Sequence, residues 1–169
     1  LDYDLLALLD GFTTSKGSAN AALTMAHLQQ AIQVVKGNST EPGPPPYFIV
    51  LHPYQLYDIG AAMAVGSATY PTPTGISEEV LRHWVPIPTL LGASVFEDGN
   101  LAVDTDGDAK GGVFSQKAIR LCVTQEPDQD AEYIGDLRAT ELNVVMEYGY
   151  AEWADSFGVE IYTDAGSPA

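Results

Sequence analysis

Residues 138–164 alternate apolar and polar side chains in two runs, separated by a short turn at 154–156. Side chains of a strand point alternately to opposite faces, so this pattern predicts a half-buried antiparallel ribbon. The first run would form a strand of about ten residues, whereas most strands have about five or six. One face of that strand would carry Leu142, Val144, Met146, Tyr148 and Tyr150. An apolar face of this length exceeds the needs of a small domain and predicts a platform on which something else packs.

The charge of the chain is strongly acidic and argues against nucleic-acid binding. With 169 residues, 46% of them hydrophobic, the chain is long enough for one globular domain with a core. Its 23 acidic and 7 basic residues give a formal net charge of −16. Such a surface repels phosphate, so we expect no sequence-specific nucleic-acid contact. No apolar run approaches the roughly 20 residues of a membrane span, so we expect no membrane association. Because the first residue is Leu1 rather than Met, we expect a fragment or a processed product.

The spacing of apolar residues predicts four helices. The second begins after Thr24, which suits an N-cap, and ends at Lys36 and Gly37, which are typical of helix C-termini. Pro53 suits the first position of the third helix, where no backbone N–H is needed. Ser77 can cap the fourth. The four helices are predicted at residues 2–12, 24–36, 53–65 and shortly after Ser77.

Short runs of strand-forming residues predict a sheet. Residues 47–51 form a continuous apolar run that is too short for a helix, so they predict a buried central strand. We expect an α+β fold, in which a mixed central sheet flanked by helices is joined by a helix and the long antiparallel ribbon. Further strands are predicted at 90–96, 113–114 and 119–124. Loops rich in proline, glycine or acidic residues are predicted at 38–46, 70–74, 97–112 and 126–132.

Asp104, Asp106 and Asp108 form the sharpest local cluster of possible ligands. Calcium binds six to eight oxygens, and carboxylates at alternate positions of a tight loop can supply several of them. The helix-flanked calcium loop would need Gly at position 109 and Glu at position 115, where this chain has Ala109 and Ser115. We therefore assign no metal ligand and expect a solvated acidic turn. A calcium-dependent binding module remains the alternative function.

Four acidic residues occupy alternate positions from Glu126 to Glu132. In a strand they would share one face, and their mutual repulsion could raise a pKa for acid–base catalysis, as in a hydrolase. Pro127 and the neighbouring glutamines favour a loop in which the charges are hydrated. Since no nucleophile or orienting base lies nearby in the sequence, we assign no catalytic residue and expect no enzyme.

The histidines and the single cysteine predict structural roles. None of His27, His52 and His83 has a second ligand at a spacing used by zinc sites, so we expect capping, packing or surface positions. Cys122 lies in an apolar run at 121–123 and predicts a small buried side chain. One cysteine allows no intrachain disulfide. We expect no cofactor.

Several segments, taken in order, resemble the major capsid proteins of tailed bacteriophages, which have the Hong Kong 97-type capsid fold. Residues 47–56, YFIVLHPYQL, are similar to the buried strand, His-Pro break and helix of that family's axial domain. Residues 91–96, LGASVF, and 112–119, GVFSQKAI, resemble its later strands. Residues 147–161, EYGYAEWADSFGVEI, resemble the closing ribbon of its peripheral domain.

The resemblance implies a division of the chain and a mechanical function. It implies the end of a spine helix and a connector at 1–23, an axial-domain-like core at 24–136, and the C-terminal ribbon of a peripheral domain at 137–169. The N-terminal arm, the extended loop and most of the spine helix would be absent. Many copies would form pentamers and hexamers of an icosahedral viral shell that encloses DNA. The implied location is the virion, after synthesis in the host cytoplasm, with cement, scaffold or portal proteins as further candidate partners.

Overall fold

A computed structural model describes residues 2–63 and 89–167 of the chain, which contain three α-helices and eight strands. The predicted helix end at 65, the loop at 70–74, the helix after Ser77 and His83 lie outside these residues. No helix in the described part is long and apolar enough to cross a membrane. The helices are α1 (Asp2–Leu6), which continues as a 3-10 turn (Ala7–Gly11), α2 (Met25–Lys36) and α3 (Pro53–Met63). The strands are β1 (Ser15–Gly17), β2 (Tyr47–Leu51), β3 (Thr89–Leu90), β4 (Ala93–Glu97), β5 (Asp108–Ser115), β6 (Ile119–Ile134), β7 (Ala139–Glu152) and β8 (Gly158–Asp164).

Six of the strands form one mixed sheet in the order β1-β8-β5-β2-β4-β3. Strand β8 runs parallel to β1 and antiparallel to β5. Strand β2 runs antiparallel to β5 and parallel to β4. The remaining two strands, β6 and β7, form a separate antiparallel hairpin. The predicted α+β architecture is confirmed, with helices on a mixed sheet and a long antiparallel ribbon beside it.

Helix α2 begins and ends where its sequence predicts. The hydroxyl Oγ1 of Thr24 accepts a hydrogen bond from the His27 backbone N–H at 3.4 Å, and His27 Nδ1 accepts one from the Thr24 N–H at 3.4 Å. At the other end, the Gly37 N–H donates to the Gln33 carbonyl oxygen at 2.7 Å. Both ends therefore have partners for backbone groups that the helix itself leaves unpaired. The buried face of α2 consists of Leu28, Ala31, Ile32 and Val35.

The central strands β5 and β8 are buried on both faces of the sheet. On one face, α2 and α3 cover a core that includes Ile49, Val113, Val159 and Ile161. On the other face, the 3-10 turn and the segments next to it supply a second, smaller core. This cover lies so close that a Cβ added at Gly158 would overlap the ring of Phe12. The second core consists of Leu9, Phe12, Leu101, Ala118 and Phe157.

The ribbon predicted within residues 138–164 has a different partner strand. Strand β7 pairs with β6, from Ile119 opposite Glu152 to Ile134 opposite Ala139. Strand β8 lies instead between β1 and β5 in the six-stranded sheet. The predicted pairing was wrong because alternation within one segment indicates that a strand forms but leaves its partner open. Residues of β8 gain burial on both faces in the sheet, which a solvent-exposed ribbon would not provide.

Residues 126–132, predicted as a loop, belong to strand β6. Strand β6 forms its backbone hydrogen bonds with β7. Its acidic side chains stay exposed, so they keep their hydrating water in the extended conformation. The register skips between Gln125 and Asp128, next to Pro127. A bulge at this point keeps the residue without an N–H out of the regular ladder. The prediction from local composition was wrong, because composition does not show whether a later segment will pair with these residues as a strand.

Two further strand boundaries differ from the prediction. Leu91 and Gly92 have φ angles of 55° and 83°, so a turn divides the predicted strand 90–96 into β3 and β4. Strand β5 begins at Asp108, inside the predicted acidic loop, because its first residues pair with the end of β8.

Gln55 connects α3 to the sheet from a fully buried position. Its Nε2 donates to the carbonyl oxygen of Ala109 at 2.9 Å and to Thr163 Oγ1 at 2.8 Å. Its Oε1 accepts from the His52 backbone N–H at 3.0 Å. A glutamine at the third position of a helix is a capping residue, and here the same amide also binds two strands.

We expect Gln55→Leu to destabilise the fold. The apolar side chain leaves the His52 N–H, the Ala109 carbonyl and the Thr163 hydroxyl without this partner, and each unsatisfied buried group costs about 1–3 kcal/mol. The free energy of unfolding, measured in urea, should fall accordingly. The control is Gln30→Leu on the exposed side of α2, which should be near neutral. Equal stability of the two variants would contradict the role of Gln55.

The stability of the fold should also decrease as the pH falls below about 6.5, because of His52. Burial lowers the pKa of this imidazole from its ordinary value of 6.5, and Nδ1 accepts from the Tyr54 N–H at 3.3 Å, which requires the neutral ring. The unfolded chain therefore binds this proton at a higher pH than the folded chain does. Thermal melts between pH 7.5 and 5.5 should show a steeper loss for the wild type than for His52→Asn. Parallel pH profiles would be evidence against this coupling.

Candidate assembly interface

The hairpin of β6 and β7 projects from the globular body. Its strands have 16 and 14 residues, which at about 3.3 Å per residue give a length of about 45 Å. At its root, the Ala118 carbonyl accepts hydrogen bonds from the N–H groups of Trp153 at 2.7 Å and Ala154 at 3.3 Å. At its tip, the Arg138 N–H donates to the Gly135 carbonyl at 3.3 Å, and Arg138 has a φ of 49°. Both strands thus leave the body at one point and meet again at a tight turn.

The strand register gives the hairpin one apolar face. Val123 lies opposite Tyr148, and after two irregularities Ala131 lies opposite Leu142, so the two strands point their apolar residues to the same side. The face predicted for the β7 strand is confirmed, and β6 extends it. We call this surface the apolar hairpin face. It consists of Leu121, Val123, Ala131, Tyr133, Leu142, Val144, Met146, Tyr148 and Tyr150.

Most of the apolar hairpin face is exposed to solvent. The side chains of Leu142 and Val144 are 60% and 66% exposed, whereas Tyr148, near the root, is half-buried. The hydroxyl of Tyr148 donates to Asp4 Oδ2 at 2.9 Å, which attaches the root to α1. Covering the exposed part of a side chain such as Leu142 or Val144 would contribute about 1–2 kcal/mol. A two-stranded hairpin is marginally stable alone in water, so this face has much to gain from a partner.

The opposite side of the hairpin is acidic. Glu132 lies directly opposite Glu141, and Asp130 lies opposite Asn143, which carries no charge. Like charges at directly opposite positions destabilise a strand pair. Acids at alternate positions share a face in a strand, but Pro127 and the neighbouring glutamines made a loop the prediction from the sequence. We call this surface the acidic hairpin face. It includes Asp128, Asp130, Glu132, Glu141 and Glu147.

An arginine and an exposed tryptophan lie side by side at the root of the hairpin. The guanidinium carbon of Arg120 is 3.8 Å from the centre of the Trp153 ring, and Trp153 is 61% exposed. Exposed tryptophan and arginine are typical anchors of protein interfaces. Cys122, two residues from Arg120, is exposed, so the prediction of a buried side chain was wrong. The reason is its place on the acidic hairpin face opposite Gly149, where no side chain covers it.

Asp104 uses its carboxylate to build a turn. Its Oδ1 accepts hydrogen bonds from the N–H groups of Asp106 at 2.9 Å and Asp108 at 3.0 Å, and its Oδ2 accepts from the Tyr162 hydroxyl at 2.9 Å. These bonds lower the pKa of Asp104, with the Asp108 N–H as the largest cause. The bond to Asp104 is also the largest cause that raises the pKa of Tyr162, to about 12.

Asp108 differs from the solvated turn that the sequence predicted, since it is buried at the start of β5. Its Oδ1 accepts from the Asn20 N–H at 2.8 Å, which ties β5 to the segment after β1. Within residues 2–63 and 89–167, no three acidic, histidine or cysteine side chains are arranged to hold a metal ion. Among the described residues, the hairpin is therefore a stronger candidate for a functional surface than the turn at Asp104–Asp108.

Removing the charge repulsion on the acidic hairpin face should stabilise the hairpin. In Glu132→Lys, an ammonium would lie opposite Glu141, and a favourable cross-strand pair contributes about 0.2–1 kcal/mol. Amide hydrogen exchange should slow in β6 and β7. The control, Glu126→Lys, makes the same charge change at the irregularity, where residue 126 has no directly opposite residue in β7. Equal protection in the two variants would show that net charge, and not the cross-strand pair, is responsible.

The sequence matches no protein-family model and no curated protein. The structure, in contrast, matches solved structures over nearly the whole chain. A chain of Mycobacterium phage Che8 is 18% identical with a TM-score of 0.66, and the match covers 94% of this chain and 55% of that one. A chain from the capsid of cyanophage P-SCSP1u is 11% identical with a TM-score of 0.60, and the match covers 97% of this chain and 60% of that one.

An encapsulin complex from Synechococcus elongatus is matched as well. Its chain is 15% identical with a TM-score of 0.51, and the match covers 92% of this chain and 56% of that one. The present chain thus spans between 55% and 60% of the length of these three solved chains. The mixed sheet, its helices and the projecting hairpin together have the Hong Kong 97-type capsid fold.

Proposed function

We propose that the chain is a structural subunit of a closed protein shell, the icosahedral capsid of a tailed bacteriophage. Many copies would assemble into pentamers and hexamers that enclose DNA. The observation that carries this proposal is the apolar hairpin face, which projects from a Hong Kong 97-type fold and is largely exposed. The role is mechanical and involves no catalytic chemistry.

The dimensions of the hairpin favour an interface made of several surfaces. One face measures about 45 Å by 10 Å, or roughly 450 Å² in projection. A standard protein interface buries about 800 Å² on each partner, so the apolar hairpin face would supply part of it. Trp153 and Arg120 at the root are suitable further anchors. Closed shells need such contacts between different surfaces of identical subunits, repeated by rotation.

The sheet topology supports a revised division of the chain into two lobes. Strands β6 and β7, together with α1, would form the peripheral lobe, because Tyr148 binds Asp4. The six-stranded sheet with α2 and α3 would form the axial domain. Compared with the division expected from the sequence, residues 119–134 move to the peripheral lobe and 158–164 move to the axial domain.

The net charge of −16 supports a place on the wall of a virion more than direct binding of DNA. Repulsion between the wall and densely packed phosphate would keep the genome from adhering to it. The virion would be assembled in the host cytoplasm, with scaffold, cement or portal proteins as further partners. An encapsulin shell, which is built on the same fold, is the competing form of the same assembly.

Placing charge on the apolar hairpin face should prevent assembly. In the double variant Leu142→Lys/Val144→Lys, two ammonium groups would have to lose water when a neighbouring copy covers the face. Size-exclusion chromatography with light scattering and electron microscopy should show rings or shells for the wild type and small species for the variant. The expected loss comes without a change in melting temperature, because both side chains are exposed.

The matched control is Asn143→Lys/Val145→Lys, which adds the same charges to the acidic hairpin face. It should assemble like the wild type. A wild type that stays monomeric under all conditions, or equal assembly of both variants, would overturn the proposal. Shells that contain protein cargo and no DNA would overturn the assignment to a virion.

A further inference from the structure

An acidic cleft lies on the sheet face opposite α2, between β5, β8, the 3-10 turn and the segment 102–104. It has a volume of about 410 Å³. An adjoining cavity of about 250 Å³ shares Asp10, Ala102 and Lys110 with it and continues along α1. The two cavities adjoin at these three residues and are together called the groove; charged side chains line most of the cleft, whereas Leu6 and Ala7 line part of the adjoining cavity. The charged and aromatic lining of the cleft consists of Asp10, Asp104, Asp108, Lys110, Glu160 and Tyr162.

The cleft contains more carboxylates than its single cation can balance. Four carboxylates and one ammonium group leave a net charge of −3. The Lys110 ammonium forms an ion pair with Asp10 and lies 3.6 Å from Glu160 Oε1. Within the described residues, no basic side chain forms an ion pair with Asp104 or Asp108. The strand register places Asp108 two residues before Lys110, so the uncompensated charge lies at one end of the cleft.

One buried oxygen in the cleft has neither a hydrogen-bond partner nor an ion-pair partner among the described residues. It is Oδ2 of Asp108, a residue that is 1% exposed, whereas the buried Oε1 of Glu160 has the Lys110 ammonium at 3.6 Å. Buried carboxylate oxygens are nearly always hydrogen-bonded or paired with a cation, because losing water without compensation is costly. Asp108 accepts a hydrogen bond from the Asn20 N–H through Oδ1, so Oδ2 is the oxygen of this carboxylate that lacks a partner.

The geometry favours an organic cation over a metal ion. No three acidic, histidine or cysteine side chains of the described chain are arranged to hold a metal. An ammonium or guanidinium group donates hydrogen bonds to carboxylates, does not need a closed shell of ligands, and can also contact an aromatic ring. The methylene chain of such a ligand would contact Ala102 and Val103 beside the carboxylates. It would also contact Leu6 and Ala7 in the adjoining cavity.

We propose that this cleft binds an alkylammonium or guanidinium group, with the cation at Asp104 and Asp108 and the methylene chain along Ala102. The ligand is either a free polyamine or a basic side chain of a neighbouring protein copy. Both present the same feature to the cleft, a positively charged nitrogen group on a methylene chain. The cation site rests on the fold and the cleft, whereas a neighbouring copy as the source of the ligand rests on the proposed assembly.

Spermidine, titrated into the full chain at constant ionic strength, is the probe. Isothermal titration calorimetry should detect binding, and thermal melts should show stabilisation by mass action. In Asp108→Asn, which can still accept from the Asn20 N–H, affinity should fall about tenfold or more, as expected for the loss of a charge-assisted hydrogen bond. The matched control is Asp130→Asn on the acidic hairpin face, which removes one charge far from the cleft and should bind like the wild type.

A second variant tests the cleft without changing its charge. Ala102 is exposed, so Ala102→Leu should fold normally, fill the groove and weaken spermidine binding. Equal loss in Asp108→Asn and Asp130→Asn would show diffuse attraction to an acidic protein and overturn the proposal. Mg²⁺ that binds in the cleft and displaces spermidine at matched ionic strength would overturn it as well.

The assembly state distinguishes the two sources of the ligand. If Ala102→Leu and Asp108→Asn weaken self-association without added amine, a basic side chain of another copy fills the cleft. If they bind spermidine poorly and associate normally, the ligand is a free amine. Both results support the cleft as a cation site. Unchanged spermidine binding in both variants would refute it.

Discussion

The burial of β5 and β8 on both faces organises the rest of the molecule. These two strands lie side by side in the middle of the sheet, although more than forty residues separate them in the chain. Helix α2 covers one face and the 3-10 turn covers the other, so two cores form on the same pair of strands. Gln55 then binds both strands from α3 through a single amide. Removing β8 from the sheet would therefore expose both cores at once.

The structure could be predicted from the sequence where a local signal decides it. Thr24 and Gly37 lie at the ends of α2 because caps act within one turn of the helix. The run Tyr47–Leu51 could be recognised as a strand because five apolar residues are too few for a helix and suit burial on a sheet. The resemblance to capsid proteins rested on the order of such segments, and the structural comparisons confirm the fold.

The structure could not be predicted where segments pair with partners that are distant in the sequence. The acidic half of β6 carries a strand pattern, but Pro127 and hydrated carboxylates are equally typical of a loop, and only β7 decides the outcome. The same reason explains Cys122, whose apolar neighbours indicate a core although the hairpin lies in solvent. Asp108 is the opposite case, because its acidic neighbours indicate a surface turn while β8 and Asn20 bury it. The candidate cleft could not be predicted, since the 3-10 turn and the two strands that line it are distant in sequence.

The hairpin projects from the globular body and is connected to it at its root, so a small rotation at the root would move the tip by several ångströms. The Ala118 carbonyl oxygen accepts hydrogen bonds from the N–H groups of Trp153 and Ala154, and both strands enter the globular body beside it. With an arm of about 45 Å, a rotation of roughly 10° about this root would displace the tip by about 8 Å. A rotation of that size would leave the hydrogen bonds inside the hairpin intact, whereas the bond from the Tyr148 hydroxyl to Asp4 would have to open or α1 would have to move with the hairpin. If copies of the chain assemble as proposed, such a rotation would let subunits with identical interiors reach neighbours at different distances, as a surface of varying curvature requires.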